Sequence, residues 1–208
     1  MHLTVPSTQG RPVPNGKITY KEFLEWMDED THAEWVNGEI VFMAPISGEH
    51  NDVSGFLYGL VREFVAHGEL GKVRFEPFQM KTGPRLPGRS PDLLFVAKRN
   101  LRRLKKTYLD GPADLVVEVI SPDRRRVDRE QKYREYEKGG VKEYWLIDPE
   151  RRQAEFFELG PQKRFQLASL RDGAYHSRIL KGVWLKPEWL WRDPLPTVRW
   201  VFKQWGID

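Results

Sequence analysis

A mixed α/β sandwich, one central β-sheet with helices packed on it, is the fold class the sequence predicts, on three observations. "SPDLLFV" (90–96) and "DLVVEVIS" (114–121) are short, nearly continuous apolar runs of the kind that strands covered on both faces require. Three other segments, beginning near residues 19, 48 and 124, repeat apolar residues at helical spacing or read as helical between a cap and a stop. The order is helix, hairpin, helix, then strands around one more helix, which suits helices packed on a sheet rather than a bundle or an all-β fold.

The elements follow in order. "ITYKEFLEWMDED" opens on a Thr19-x-x-Glu22 capping box, with Tyr20, Phe23, Leu24 and Met27 on one helical face. In "AEWVNGEIVFM", Asn37-Gly38 lies between apolar runs, the strongest short hairpin signal. Val53, Phe56, Leu57, Leu60, Val61, Phe64 and Val65 predict a long amphipathic helix stopping near Gly68. "KVRFEPFQMK" reads as a strand whose proline implies an edge or a bulge. The two apolar strands follow, joined by "KRNLRRLKKTYLDGPA", in which Leu101 and Leu104 can dock the connector. Asp123 is a candidate helix cap ahead of "RRRVDREQKYREYEK", which ends at Gly139-Gly140. "KEYWLID", "QAEFFEL", "RFQLASL" and "AYHSRIL" then read as short strands. The Trp- and Pro-rich tail fits core cover or a dimer surface with a short terminal helix. It lacks the basic interleaving of a base-stacking platform.

With 208 residues and 39% hydrophobic content, the chain can bury one sizeable core. The domain plan is a lead-in at 1–17, one domain at 18–192 and an extension at 193–208. No apolar run approaches the roughly 20 residues that span a bilayer, and no secretory leader is apparent, so the expected location is cytoplasmic. The absence of cysteine removes disulfides, thiolate chemistry and cysteine zinc sites. The richness in charge, with more Arg than Lys, would suit a thermophile. Net charge is +4, but residues 98–134 alone carry 12 basic and 6 acidic side chains, leaving the remainder slightly acidic. That segment would attract a polyanion.

It also lies beside two misplaced acids. Asp92 starts one apolar strand, and Glu118 shares a strand face with Val116 and Ile120 in the other. A buried carboxylate needs a partner. If the strands are neighbours, the two carboxylates converge and repel unless a cation lies between them. Oxygen ligands suit Mg²⁺ or Mn²⁺, with water and a substrate phosphate completing the shell. Asp128, Lys132 and Tyr136 share one side of the following helix, so Lys132 can reach the pair and assist an attacking water. Two plainer alternatives stand beside this: Glu118 paired with an arginine such as Arg124, and Lys132 in an exposed i, i+4 pair with Asp128.

"SPDLLFV", "EVIS" and a lysine one helix later resemble the PD-(D/E)XK nuclease pattern with its lysine moved off the strand. With "AEWVNGEIVFM", "GEH" and "GPADLVVEVISPDRRRVDREQKYREYEKGGVKEYWLIDPE", the chain resembles the Uma-two family over about residues 18–190. The resemblance implies a restriction-endonuclease-like fold, Asp92, Glu118 and the backbone carbonyl of Val119 as metal ligands, Lys132 as the catalytic lysine, and Glu34 as a further acid near the metal. Glu39 and His50 match family-like positions without an assigned role. Ile120 stands where the strand lysine of the parent pattern belongs.

The function expected is therefore Mg²⁺- or Mn²⁺-dependent hydrolysis of phosphodiester bonds in nucleic acid, DNA first, by a homodimer. A non-catalytic nucleic-acid-binding or assembly module on the same fold is the alternative. A glycosidase-type acid/base pair leaves Lys132 and the basic segment without a role.

Overall fold

The computed structural model of the chain describes residues 12–28, 30–121 and 126–207. Its first elements are α1 (Tyr20–Trp26), β1 (Ala33–Val36), β2 (Glu39–Phe42) and α2 (Gly48–His67). Thr19 and Glu22 form the reciprocal capping box at α1. Asn37 and Gly38 both take positive φ (53° and 93°), the backbone a two-residue type I′ hairpin needs. Ser47 caps α2 and Gly68 ends it. β3 (Gly71–Phe75), β4 (Gln79–Lys81), β5 (Gly88–Arg89), β6 (Leu93–Ala97), β7 (Tyr108–Asp110) and β8 (Leu115–Val119) follow. A π-helical stretch, Val127–Lys132, leads into α3 (Tyr133–Gly139), which Gly140 terminates in the left-handed conformation. β9 (Glu143–Asp148), β10 (Gln153–Leu159), β11 (Phe165–Leu167), β12 (Tyr175–His176), β13 (Trp184–Leu185) and α4 (Val198–Gln204) complete the fold.

The central sheet has the order β11-β10-β9-β8-β6-β3, with β8 and β9 parallel and the other neighbours antiparallel. It is covered on both faces, which is why its inner strands read as unbroken apolar runs. Leu93, Phe95, Leu115, Val117, Val119, Trp145 and Ile147 meet α2 and the C-terminal segment. Leu94, Val96, Val116, Ile120, Tyr144 and Leu146 pack instead with Tyr136 of α3, and Leu101 and Leu104 of the connector dock here. The mixed α and β architecture agrees with the expected fold class. The strands do not all join one sheet, however. β2-β1-β5-β4-β7 form a second one, and "KVRFEPFQMK" divides at Glu76–Pro77 between the edge of the first and the interior of the second.

The tail is core cover. Trp189 is buried, Trp205 meets Phe64 of α2 edge-on at 5.5 Å, and Phe202 and Ile207 pack on the same cluster. Among the described residues no helix is long and apolar enough to cross a membrane. The predicted cap Asp123 lies outside the described residues.

One buried acid is structural. Asp114 accepts hydrogen bonds from the Ala97 amide (2.8 Å) and Asn100 Nδ2 (2.9 Å) and pairs with Lys142, tying the connector to β8 and β9. Burial alone would raise its pKa, but the Asn100, Lys142 and Ala97 hydrogen bonds outweigh this and hold it below the usual carboxylate value. A depressed folded pKa contributes stability that is present above the unfolded value of about 3.9 and lost as pH falls through the folded one. Asp114→Asn is expected to cost about 1–3 kcal/mol at pH 7. In urea unfolding, the gap to wild type should close below about pH 4.

Candidate metal and catalytic site

Antiparallel pairing of β6 with β8 sets Leu93 opposite Val117, so Asp92, one residue before β6, comes level with Glu118. Asp92 Oδ2 accepts the Val119 amide at 2.6 Å. The Glu118 side chain leaves β8 on the face of Val116 and Ile120, toward the helix that follows. There Lys132 Nζ donates to Oε2 at 2.8 Å, and the Tyr136 hydroxyl donates to Oε1 at 2.6 Å. Lys132 Nζ also lies 3.0 Å from Asp128 Oδ1 and 3.8 Å from Glu34 Oε1. Glu34, Glu118, Asp128 and Lys132 are each at most 4% exposed. The structure thus brings Asp92, Glu118, Lys132 and Glu34 together. The i, i+4 pairing of Asp128 with Lys132 exists, but as a buried contact. The π-helical stretch carrying both is a backbone form that recurs at functional sites.

Burial raises the Glu118 pKa, Lys132 opposes the rise, and the like charges of Asp92 and Asp128 reinforce it, so the net shift is upward. For Lys132, burial would lower the pKa, but Asp128, Glu118, Glu34 and Asp92 together reverse that. The ammonium is therefore held protonated. It can donate hydrogen bonds and stabilise negative charge, and it is unsuited to taking a proton.

Sequence reasoning left two contributors without a role. His50, in the first turn of α2, lies with Nε2 3.4 Å from Asp92 Oδ1 and hydrogen-bonds the backbone of Val119. Burial disfavours its charged form, but the hydrogen bond and charge of Asp92, then Glu76, raise its pKa overall. The "GEH" match was its only signal. Arg89 is 2% exposed and bridges Glu34 (2.9 Å) to both oxygens of Glu135 (2.7 and 2.8 Å). A lone arginine between glycine and serine on a two-residue strand carries no pattern that marks it. Glu39 is exposed on β2, and Arg124 lies outside the described residues.

A cavity of about 50 Å³, lined by His50, Glu76, Asp92, Glu118, Val119 and Lys132 among others, opens at these groups. Among the described residues no three His or carboxylate side chains form a ready metal cage. The available set is two carboxylates and a backbone carbonyl, and it fits a cation that keeps water and binds substrate phosphate, as Mg²⁺ does. Burial first, and then the like charges of Asp92 and Asp128, raise the Glu118 pKa even beside an ammonium, and a cation at these carboxylates would offset their repulsion.

The sequence matches a family, Uma2, described as "Putative restriction endonuclease", over residues 20–188. Among solved structures, a putative nuclease belonging to DUF820 from Anabaena variabilis ATCC 29413 is similar, with a TM-score of 0.68 and 18% identity. The alignment covers 84% of this chain and 97% of that one. No curated protein matches.

Proposed function

The chain belongs to the Uma2 family, and on that premise we propose that it is a metal-dependent endonuclease hydrolysing phosphodiester bonds of DNA. The family is nuclease-like, and nucleases of this type generally use divalent metals. The observation that carries the finer reading is the level placement of Asp92 and Glu118 with the Lys132 ammonium 2.8 Å from Glu118.

In this reading Asp92, Glu118 and the Val119 carbonyl hold Mg²⁺ or Mn²⁺. When bound, the ion lowers the pKa of a coordinated water and neutralises phosphate charge. Lys132 donates to the attacking water and stabilises its negative charge as it develops. Glu34, fixed by Arg89 and the Ser90 amide, aims Lys132. Tyr136 fixes Glu118 in rotation.

The moved lysine has a physical reason. Position 120 is 3% exposed and packs in the apolar layer beneath α3, where a lysine would be a buried charge. The helix supplies the amine from a position where carboxylates surround it. Cutting both strands of a duplex would require two such sites, which a homodimer provides.

The Lys132–Glu118 contact also favours a second reading, in which the pair is purely structural and the protein is a nucleic-acid-binding module. Incubating supercoiled DNA with Mg²⁺ separates the two. Wild type is expected to nick the DNA, and Asp92→Ala is expected to abolish nicking while retaining binding. Nicking that survives Asp92→Ala would contradict the site assignment.

A further inference from the structure

Beside the carboxylate cavity runs an apolar groove of about 370 Å³ that the hydrolytic chemistry leaves unused. It lies among Leu24 of α1, Met27 at its C-cap, the bend between β3 and β4, and Lys106 and Thr107 of the basic connector. Glu76 lines both the groove and the cavity, so the two adjoin at this residue.

Its lining has an unusual composition. Phe75 is 53% exposed, with the Tyr58 ring at 4.6 Å between centroids. The Arg74 guanidinium lies over the Phe78 ring at 5.7 Å, and Lys106 is exposed at the groove's rim. Gln79 is 1% exposed, and its Nε2 donates to the Ala33 carbonyl at 2.9 Å. Its Oε1 has no hydrogen-bond partner among the described residues.

We propose that this groove holds one unstacked base of the substrate strand, so that the preferred substrate is single-stranded or locally unpaired DNA. The inference rests on the nuclease reading and deepens it. A base offers a π-face to Phe75 and Phe78, and the flanking phosphates of its strand meet Arg74 and Lys106. Stacking on aromatic side chains with basic groups alongside is how single strands are bound without a sequence code. A base held within a duplex cannot enter. Because Glu76 borders both, a strand seated in the groove passes beside the cavity of Asp92 and Glu118.

The test is fluorescence anisotropy in EDTA, with one labelled DNA oligonucleotide offered as a single strand and as a duplex. Wild type is expected to bind the single strand about 10-fold more tightly, and Phe75→Ala to lose about 10-fold for the single strand alone. Phe75→Trp should restore that loss. Phe75 is exposed, so an unchanged melting temperature for Phe75→Ala verifies the fold. Equal affinity for both DNAs, or an equal loss on both, would overturn the proposal. So would a Phe75→Ala protein whose change lies in self-association by sedimentation, which would assign the groove to a second copy. EDTA separates this test from hydrolysis: failure to cleave in Mg²⁺ with the binding pattern intact would sink the nuclease reading and leave the pocket standing.

Discussion

Lys132→Met is expected to lower the unfolding free energy by about 3–5 kcal/mol at pH 7, the cost of removing one partner from a buried ion cluster. The methionine fills the lysine's volume without its charge. It leaves Glu118 and Asp128 facing each other in the interior, with Glu34 nearby. Burial, and then repulsion from Asp92 and Asp128, already push Glu118 up in the wild type, and the ammonium is the main influence holding it down. Without it, these acids can relieve the cost only by binding protons. The deficit relative to wild type is therefore expected to shrink as pH falls, because protonated carboxyls need no counter-charge. Urea unfolding from pH 7 to pH 5 measures both features. A loss below about 1 kcal/mol would match an exposed pair and contradict the buried cluster.

Glu118→Gln separates chemistry from stability. The amide keeps the shape, its oxygen still accepts from Lys132, and Asp128 and Glu34 remain to balance the ammonium, so the fold is expected to lose less than the Lys132→Met protein does, about 1–3 kcal/mol. Nicking of supercoiled DNA in Mg²⁺ should nevertheless fall by about 10³-fold or more. A metal ligand is asked to supply several kcal/mol of transition-state stabilisation, and each 1.36 kcal/mol is tenfold in rate. A Glu118→Gln protein that nicks at the wild-type rate would remove this residue from the reaction.

The fold was legible where local chemistry is specific. Thr19 and Glu22, Asn37-Gly38 and the period of α2 each act over a few residues, and each element formed where the pattern placed it. The second sheet was legible only at its β1–β2 hairpin. Its strands are short, and β5 joins β1, and β7 joins β4, across long stretches of chain that no local signal links. The same division runs through the candidate site. Asp92 and Glu118 stood out because an acid inside an apolar run demands a partner, and Lys132 because helical spacing aligned it with Asp128 and Tyr136. His50 and Arg89 did not, because a histidine in a helix's first turn and an arginine before a serine look ordinary. Their importance comes from burial and from partners brought by other elements. The Asp128–Lys132 spacing, common on solvated helices, acquires weight only because α3 folds back over β8 and encloses it.

Crystals soaked in Mn²⁺ and examined by anomalous diffraction would decide whether these residues hold a metal. The expected result is a peak about 2.1 Å from oxygens of Asp92 and Glu118 and from the Val119 carbonyl, with Lys132 Nζ within reach of a water beside it. A soaked crystal with no metal at these residues, and with Lys132 still closed on Glu118, would contradict the metal assignment.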